Sequence, residues 1–372
     1  VLPLFLCSIP VVYTHKSMPA NIFARSFTAY NTANLLIEGN AMHQHQLNLS
    51  EKSIDIICPV YNKQDYIEAF IKSVSLLPAH HFNIILINDG STDNTLQVCE
   101  RVLSERVLPN VYIVTQPNGG VSAARNTGLD LACSRYVWFC DPDDEVLPEA
   151  ATLPDFIENK PGLVFSFSHD RFYVGTQRRV KVMHETDECL SGEAYLKNYN
   201  SFGRKNDITY LWNKIYSREA IGQLRFQNGM TYGEDNVFNV HFIKRNLLKN
   251  DSFYISTMPI YLYNKYAEGT LSTSLDENKI ADLIEAEFAM LLLIAIVKKN
   301  IIPEKKRSIY KVTKVIGNKN QRAAKKYYFQ AHKELNLRLF PFTGLAEAVY
   351  FVCMLTMTVP LMNKALKSAG KL

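Results

Sequence analysis

From Ser53 onward the chain alternates short apolar runs with amphipathic stretches. Ile54-Asp55-Ile56-Ile57-Cys58 is a run of buried-strand type, ended by Pro59. Gln64 to Leu77 then sets Ile67, Phe70, Ile71, Val74 and Leu77 at helical spacing, and Pro78 stops it. Asn83 to Asn88 is a second buried strand, closed by Asp89-Gly90-Ser91. A helix starting at Asp93 carries Leu96, Val98, Val102 and Leu103 on its apolar side, and Val111 to Thr115 is a third strand. Gly119-Gly120 opens a turn, Val121 to Cys133 reads as a helix, and Tyr136 to Cys140 is a fourth strand ending at Asp141. Strands and helices alternating at this spacing predict βαβ units, hence an α/β fold with a mainly parallel sheet flanked by helices. Ligands of such sheets bind outside the carboxyl ends of the strands.

After residue 150 the alternation weakens. Leu163 to Phe167 and Arg171 to Met183 read as strands, and Tyr210 to Tyr216 is aromatic and packed. Glu234 to Asn246 has a helical pattern, Phe253 to Tyr263 is extended, and Glu277 to Lys299 is a long helix. The apolar run inside that helix, Phe288 to Val297, is too short to span a bilayer, so it reads as a buried core helix. Three regions result: an N-terminal extension over 1–52, a body over 53–275 with halves 53–148 and 149–275, and a helical C-terminal region over 276–372.

Charge divides along the same line. Residues 1–297 carry 25 basic against 33 acidic side chains, a net −8, whereas residues 298–372 carry 16 against 3, a net +13. Within that basic region, 342–362 is nearly free of charge, with Glu347 its one acid, and Lys364, Lys367 and Lys371 follow it. An interfacial helix with basic flanks is the preferred reading, and a helix packed on the body is the competing one. Val1 to Val12 is apolar but short, lacks a basic leading segment and is broken by Pro3 and Pro10, unlike a secretory signal. The seven cysteines are scattered and never spaced CxxC, which argues against a disulfide framework or a thiolate zinc site. Together these features predict a cytoplasmic protein, with peripheral contact at the inner membrane face through 342–362. Hydrophobic residues make up 47% of the chain, with 20 Tyr and 20 Phe, which excludes a disordered chain.

Three of the four predicted strand ends carry chemistry. Pro59-Val60-Tyr61-Asn62 follows the first, Asn88-Asp89-Gly90-Ser91-Thr92-Asp93 the second, and Asp141-Pro142-Asp143-Asp144 the fourth. Turn formers explain one such loop, but three strand ends less well. Three carboxylates within four residues repel one another unless positive charge sits among them. Hard cations such as Mg²⁺ and Mn²⁺ take oxygen ligands and also bind phosphates. An exposed acidic turn is the bland alternative for that cluster.

Those three runs, with Asn118-Gly119-Gly120-Val121-Ser122-Ala123-Ala124-Arg125-Asn126 between the second and third, resemble a family-2 glycosyltransferase of the GT-A fold. The likeness is close over Ser53 to Pro148 and looser to about Thr273, through Trp212-Asn213-Lys214, Gly233-Glu234-Asp235 and Tyr263 to Ser272. It implies an inverting enzyme of the bacterial surface-polysaccharide type, a UDP-sugar donor, and a glycan or lipid-linked acceptor. It implies also that Pro59, Val60 and Tyr61, with Asn62 and Asn118, surround the nucleotide, and that Asp89 accepts a hydrogen bond from the base. Arg125 lies near the diphosphate or organises the acids. Asp141 and Asp143 correspond to the DxD motif. Asp143 or Asp144 touches a Mg²⁺ or Mn²⁺ ion directly, and another of the three holds the ribose. Gln64 stands where many relatives carry Glu.

Inverting transfer needs a base for the acceptor hydroxyl. The resemblance assigns that base to Asp235, with Glu234 positioning the acceptor. The bland alternative is a helix start, because acids in a first turn favour the macrodipole. His80-His81, His43 and His45 lack metal-ligand spacing. The Lys305-Lys306-Arg307 and Lys325-Lys326 clusters come without a nucleic-acid motif, so no nucleic-acid partner is expected. Trp212 is expected to pack beside the acceptor side of the site. Two other functions compete: a nucleotidyltransferase on a similar fold, and a degenerate transferase kept for binding sugar nucleotides.

Overall fold

The computed structural model describes residues 51–158, 160, 162–197, 209–247 and 253–266, with Leu49, 279, 282–287, 289, 290, 293, 313 and 328 as further pieces. The N-terminal extension, apart from Leu49, 51 and 52, lies outside these residues, as do the segment 342–362, His43, His45 and the basic clusters near 306 and 325. Described positions between 279 and 293 are helical, in keeping with the expected long helix. Among the described residues no helix is long and apolar enough to cross a membrane.

Strands β1 (Ile54–Val60), β2 (Phe82–Asn88), β3 (Val111–Thr115) and β4 (Tyr136–Phe139) alternate with helices α1 (Ile67–Val74), α2 (Thr95–Glu105) and α3 (Val121–Leu131). Their order across the sheet is β3-β2-β1-β4, all parallel. The sheet then becomes mixed. After β5 (Glu145–Val146) come β6 (Val164–Tyr173), β7 (Arg178–Val182), β8 (Glu188–Leu190), β9 (Lys214–Ser217) and β10 (Phe253–Lys265). β9 inserts antiparallel between β4 and β6, and β10 runs parallel to β6. The expected break between strands near residue 170 is absent, because β6 runs unbroken from Val164 to Tyr173 with its Asp170 and Arg171 paired across both edges.

β1 explains why its run holds no alternation of polar and apolar residues: all seven positions are buried. Ile54, Ile56, Cys58 and Val60 face a layer with α1 and α2, whereas Ile57 faces a second layer with Leu129, Tyr216, Phe238 and Phe242. α3 crosses β1 closely at Gly128, where a Cβ would lie 2.3 Å from Ile57 Cγ2. Five described cysteines are free thiols.

Asp55 is the polar exception in β1. It is fully buried, and its carboxylate accepts from the Cys133 and Ser134 amides at 2.7 Å each, from Asn83 Nδ2 at 2.7 Å and from the Ser134 hydroxyl. It fastens the end of α3 and the start of β4 to β1, which fixes where Asp141 emerges. Asp55→Ala strands these buried donors, and roughly 2–4 kcal/mol of stability should be lost. Chemical denaturation measures it; a midpoint within error of the parent's would contradict this role.

Candidate active site

The carboxyl ends of β1, β2 and β4 gather the sequence-predicted residues. Pro59 and Val60 are buried within β1, and Tyr61, just beyond it, is 45% exposed. Asn62 takes a left-handed conformation, φ 50°. Its side-chain oxygen accepts from the Thr92 and Asp93 amides, while its own amide donates to Ser91 Oγ at 3.1 Å. Gln64 also ties the two strand ends, its Oε1 accepting from the Asn94 amide at 3.0 Å, a bond available to an amide or a carboxylate. The two loops therefore brace one another, leaving the Tyr61 ring at the rim.

Asp89 is 2% exposed and holds the glycine turn in place. One oxygen accepts from Gln116 Nε2 (2.7 Å) and the Gly119 amide (2.9 Å), and the other from the Gly120 amide (2.8 Å). Asn118 Nδ2 donates to the Asp89 carbonyl at 3.0 Å. The turn is so close that a Cβ on Gly90, itself at φ +68°, would meet the Asn118 nitrogen at 2.8 Å. Gln116 gave no sequence signal; a conformational role for a lone glutamine is legible only once the turn is folded.

The acids after β4 are each held differently. Asp141 and Asp143 have side chains 30% and 28% exposed, and both meet a cation: Arg125 at 3.1 Å and Lys63 Nζ at 2.6 Å. Asp144 is buried, with Oδ1 accepting from the Asn264 amide at 2.7 Å and Oδ2 buried without a hydrogen-bond partner. Burial, then the neighbouring Asp143 and Asp141, push its carboxyl well above the usual range. Asp141 is raised too, by burial first, with Arg125 opposing. β10 buttresses the turn: the Tyr261 hydroxyl accepts from the Asp141 amide at 2.9 Å, and Asn264 Nδ2 donates to the Asp143 carbonyl at 3.0 Å.

Arg125 joins the two halves of the body. Its guanidinium, 5% exposed as a residue, spans Asp141 and Glu234 Oε1, the latter at 2.8 Å across 109 positions of sequence. Phe226 lies 5.4 Å beneath it. Glu234 and Asp235 open the helix Glu234–Asn246 after Gly233, and Asp235 Oδ1 accepts from the Asn236 amide at 2.7 Å. Burial and then Glu234 push the Asp235 carboxyl up to about 7, with Arg125 acting against them. A carboxyl of that pKa is an ordinary acid turned into a base suited to neutral pH.

Other candidates fall outside this group. His80 and His81 lean on each other, and His81 Nδ1 meets Ser53 Oγ at 3.0 Å. Trp212 is 5% exposed in a stack with Tyr210, Tyr261 and Tyr263, where it packs. Lys63, which the sequence reading did not single out, is drawn in by Asp143; burial alone would lower its pKa, but that carboxylate outweighs burial and raises it.

Three strand ends carrying turn-braced loops, a cluster of acids and a buried arginine thus meet on an α/β sheet of the GT-A fold. The family described as "Glycosyl transferase family 2" matches residues 55–225. Glycosyltransferase GlyA of Streptococcus pneumoniae serotype 4 is 28% identical over 269 residues, covering 66% of this chain and 35% of that protein. An uncharacterised glycosyltransferase, EpsJ of Bacillus subtilis, is 29% identical over 196 residues, covering 50% of this chain and 55% of that one. The chain thus spans about a third and a little over half of these relatives' lengths. The fold matches TarS of S. aureus, crystallised with UDP-GlcNAc, with a TM-score of 0.55 at 17% identity, covering 77% of this chain and 93% of that one.

Proposed function

We propose that this protein is an inverting, metal-assisted glycosyltransferase that moves a sugar from a UDP-sugar to a hydroxyl of a glycan or lipid-linked acceptor. The observation that carries the reading is the Arg125 bridge, which sets the acids after β4 beside the Glu234-Asp235 pair. The nucleotide lies at the end of β1 against the exposed Tyr61, near Asn62 and Asn118, with Pro59 and Val60 buried beneath it. Asp89 has three hydrogen bonds to its carboxylate out of about four acceptor positions. The remaining one takes an N–H of the base.

Among the described residues no three acid, histidine or cysteine side chains converge as a ready-made metal cage. A Mg²⁺ that also binds a diphosphate needs only one or two carboxylates, its other ligands being phosphate oxygens and water. The oxygen-only donor set of Asp141 and Asp143 fits, with the buried Asp144 carboxyl beside them. Asp141 and Asp143 would hold the Mg²⁺ or Mn²⁺, which supplies charge neutralisation for the leaving diphosphate. Arg125 and Lys63 contribute fixed positive charge at the same place.

Asp235 takes the proton from the acceptor hydroxyl as that oxygen bonds to the anomeric carbon. The bond from the anomeric carbon to the diphosphate oxygen breaks, and its electron pair leaves with UDP. Attack opposite the leaving group inverts the anomeric centre. Glu234, held by Arg125, positions the acceptor and keeps Asp235 basic.

A panel of sugar nucleotides incubated with purified protein and Mn²⁺ should release nucleoside diphosphate from one donor, and chelation should stop it. Pyrophosphate released from a nucleoside triphosphate would instead identify a nucleotidyltransferase. Donor binding with neither product would identify a degenerate transferase.

A further inference from the structure

One face of the sheet beyond the acids carries cations and aromatic rings side by side. The register of β10 on β6 sets Tyr261 beside His169, Tyr263 beside Arg171 and Lys265 beside Tyr173. The register of β6 on β7 sets Tyr173 beside Arg178. Register partners stand on one face, and alternate residues along a strand share it. The inner end of this strip is Tyr261, whose hydroxyl holds the Asp141 amide. From Tyr261 to Lys265 the strip extends about 13 Å, at ~3.3 Å per residue.

Arg171 lies 5.9 Å from the Tyr263 ring centre and Lys265 5.5 Å from that of Tyr173. Arg171 Nε is buried without a hydrogen-bond partner. Among the described residues Arg171, Arg178 and Lys265 form no ion pair, whereas Arg179, on the opposite face, pairs with Asp170 at 2.6 Å. Three like charges on one face repel each other, and the Tyr263 and Tyr173 rings beside Arg171 and Lys265 offset this only in part. A guanidinium stacked on a ring keeps its in-plane donors available for an oxyanion. Tyr261 and Tyr263 are covered by Trp212, and the Tyr173 ring beside Lys265 stands at the outer end of the strip.

We infer that this strip is the acceptor track, and that the acceptor is an anionic glycan whose phosphodiester or carboxylate groups pair with Arg171, Arg178 and Lys265. The inference rests on the proposed transferase activity and names its acceptor class. A neutral glycan would leave these charges unmatched.

The test uses the full chain and three labelled oligomers of equal length: glycerol phosphate, galacturonate and a neutral malto-oligosaccharide. Fluorescence anisotropy should show binding of at least one anionic oligomer, weakened by salt, and no comparable binding of the neutral one. The phosphate and carboxylate arms identify which anion is preferred. Arg171→Gln/Lys265→Gln should weaken anionic binding about tenfold or more. The pair Arg178→Gln/Lys265→Gln, both exposed side chains, serves if the first variant melts early. Equal binding of neutral and anionic oligomers, no anionic binding, or affinities unmoved by both variants would overturn the track. Donor turnover of the parent protein is read separately. Failure to release nucleoside diphosphate removes the transferase reading, whereas release without anionic binding removes only the track.

Discussion

Replacing Asp235 by Asn lowers turnover by roughly 10²- to 10⁴-fold, the usual contribution of a general base. Donor affinity stays as in the parent, because Asp235 lies across the Arg125 bridge from the β4 acids. The pH profile gives the expectation a second handle. Burial and Glu234 hold the Asp235 carboxyl near 7. The base acts as the carboxylate, so kcat/KM rises with pH through about 7 and levels off above it. Glu234→Gln removes one of the charges that raise this pKa, and the acid limb should move to lower pH. Steady-state kinetics across pH 5–9, combined with donor titration, measure both effects. Undiminished turnover in the Asn variant would remove Asp235 from the base role.

Arg125→Ala has the second large effect, and it acts on stability and chemistry together. The guanidinium is buried between Asp141 and Glu234, at 3.1 and 2.8 Å. Removing it leaves two carboxylates facing each other with no cation between them. Breaking a buried pair in this way costs about 3–5 kcal/mol. Arg125 also opposes the rise in the Asp235 pKa, so its loss moves the acid limb to higher pH, opposite to Glu234→Gln. That opposition separates the electrostatic role from simple loosening of the fold. Arg125→Lys retains one charge but not the planar fork that reaches two acids, and should fall between. An Ala variant with the parent's denaturation midpoint and pH profile would refute the bridge as drawn.

The first half of the body was legible in the sequence to within a few residues. Its four strands are buried on both faces or end at turn formers, so each shows as a compact apolar run. The β3 run, Val111–Thr115, and the helix Glu234–Asn246 were read with their observed bounds. The second half was harder. β9 slots between β4 and β6, and β10 reaches past it to lie beside β6. Those pairings depend on packing between elements far apart in the chain, and no local pattern encodes them.

The same division holds for the site. Turn chemistry and carboxylates at strand ends mark Asp89, Asp141, Asp143 and Asp144 in the sequence itself, because the local run decides which residue emerges at a strand's carboxyl end. Partners were decided only by tertiary structure. Lys63 meets Asp143 across 80 positions, and Arg125 meets Glu234 across 109. Gln116, with no signal of its own, steadies Asp89. Arg171 and Lys265 come to one face because β6 and β10 share a register. A side chain's charge and size are written in the sequence, but its counterion is chosen by the packing of distant elements. For this protein the sequence determined which acids stand at the strand ends, and the folded sheet decided which cations hold them and which, among the described residues, meet no carboxylate.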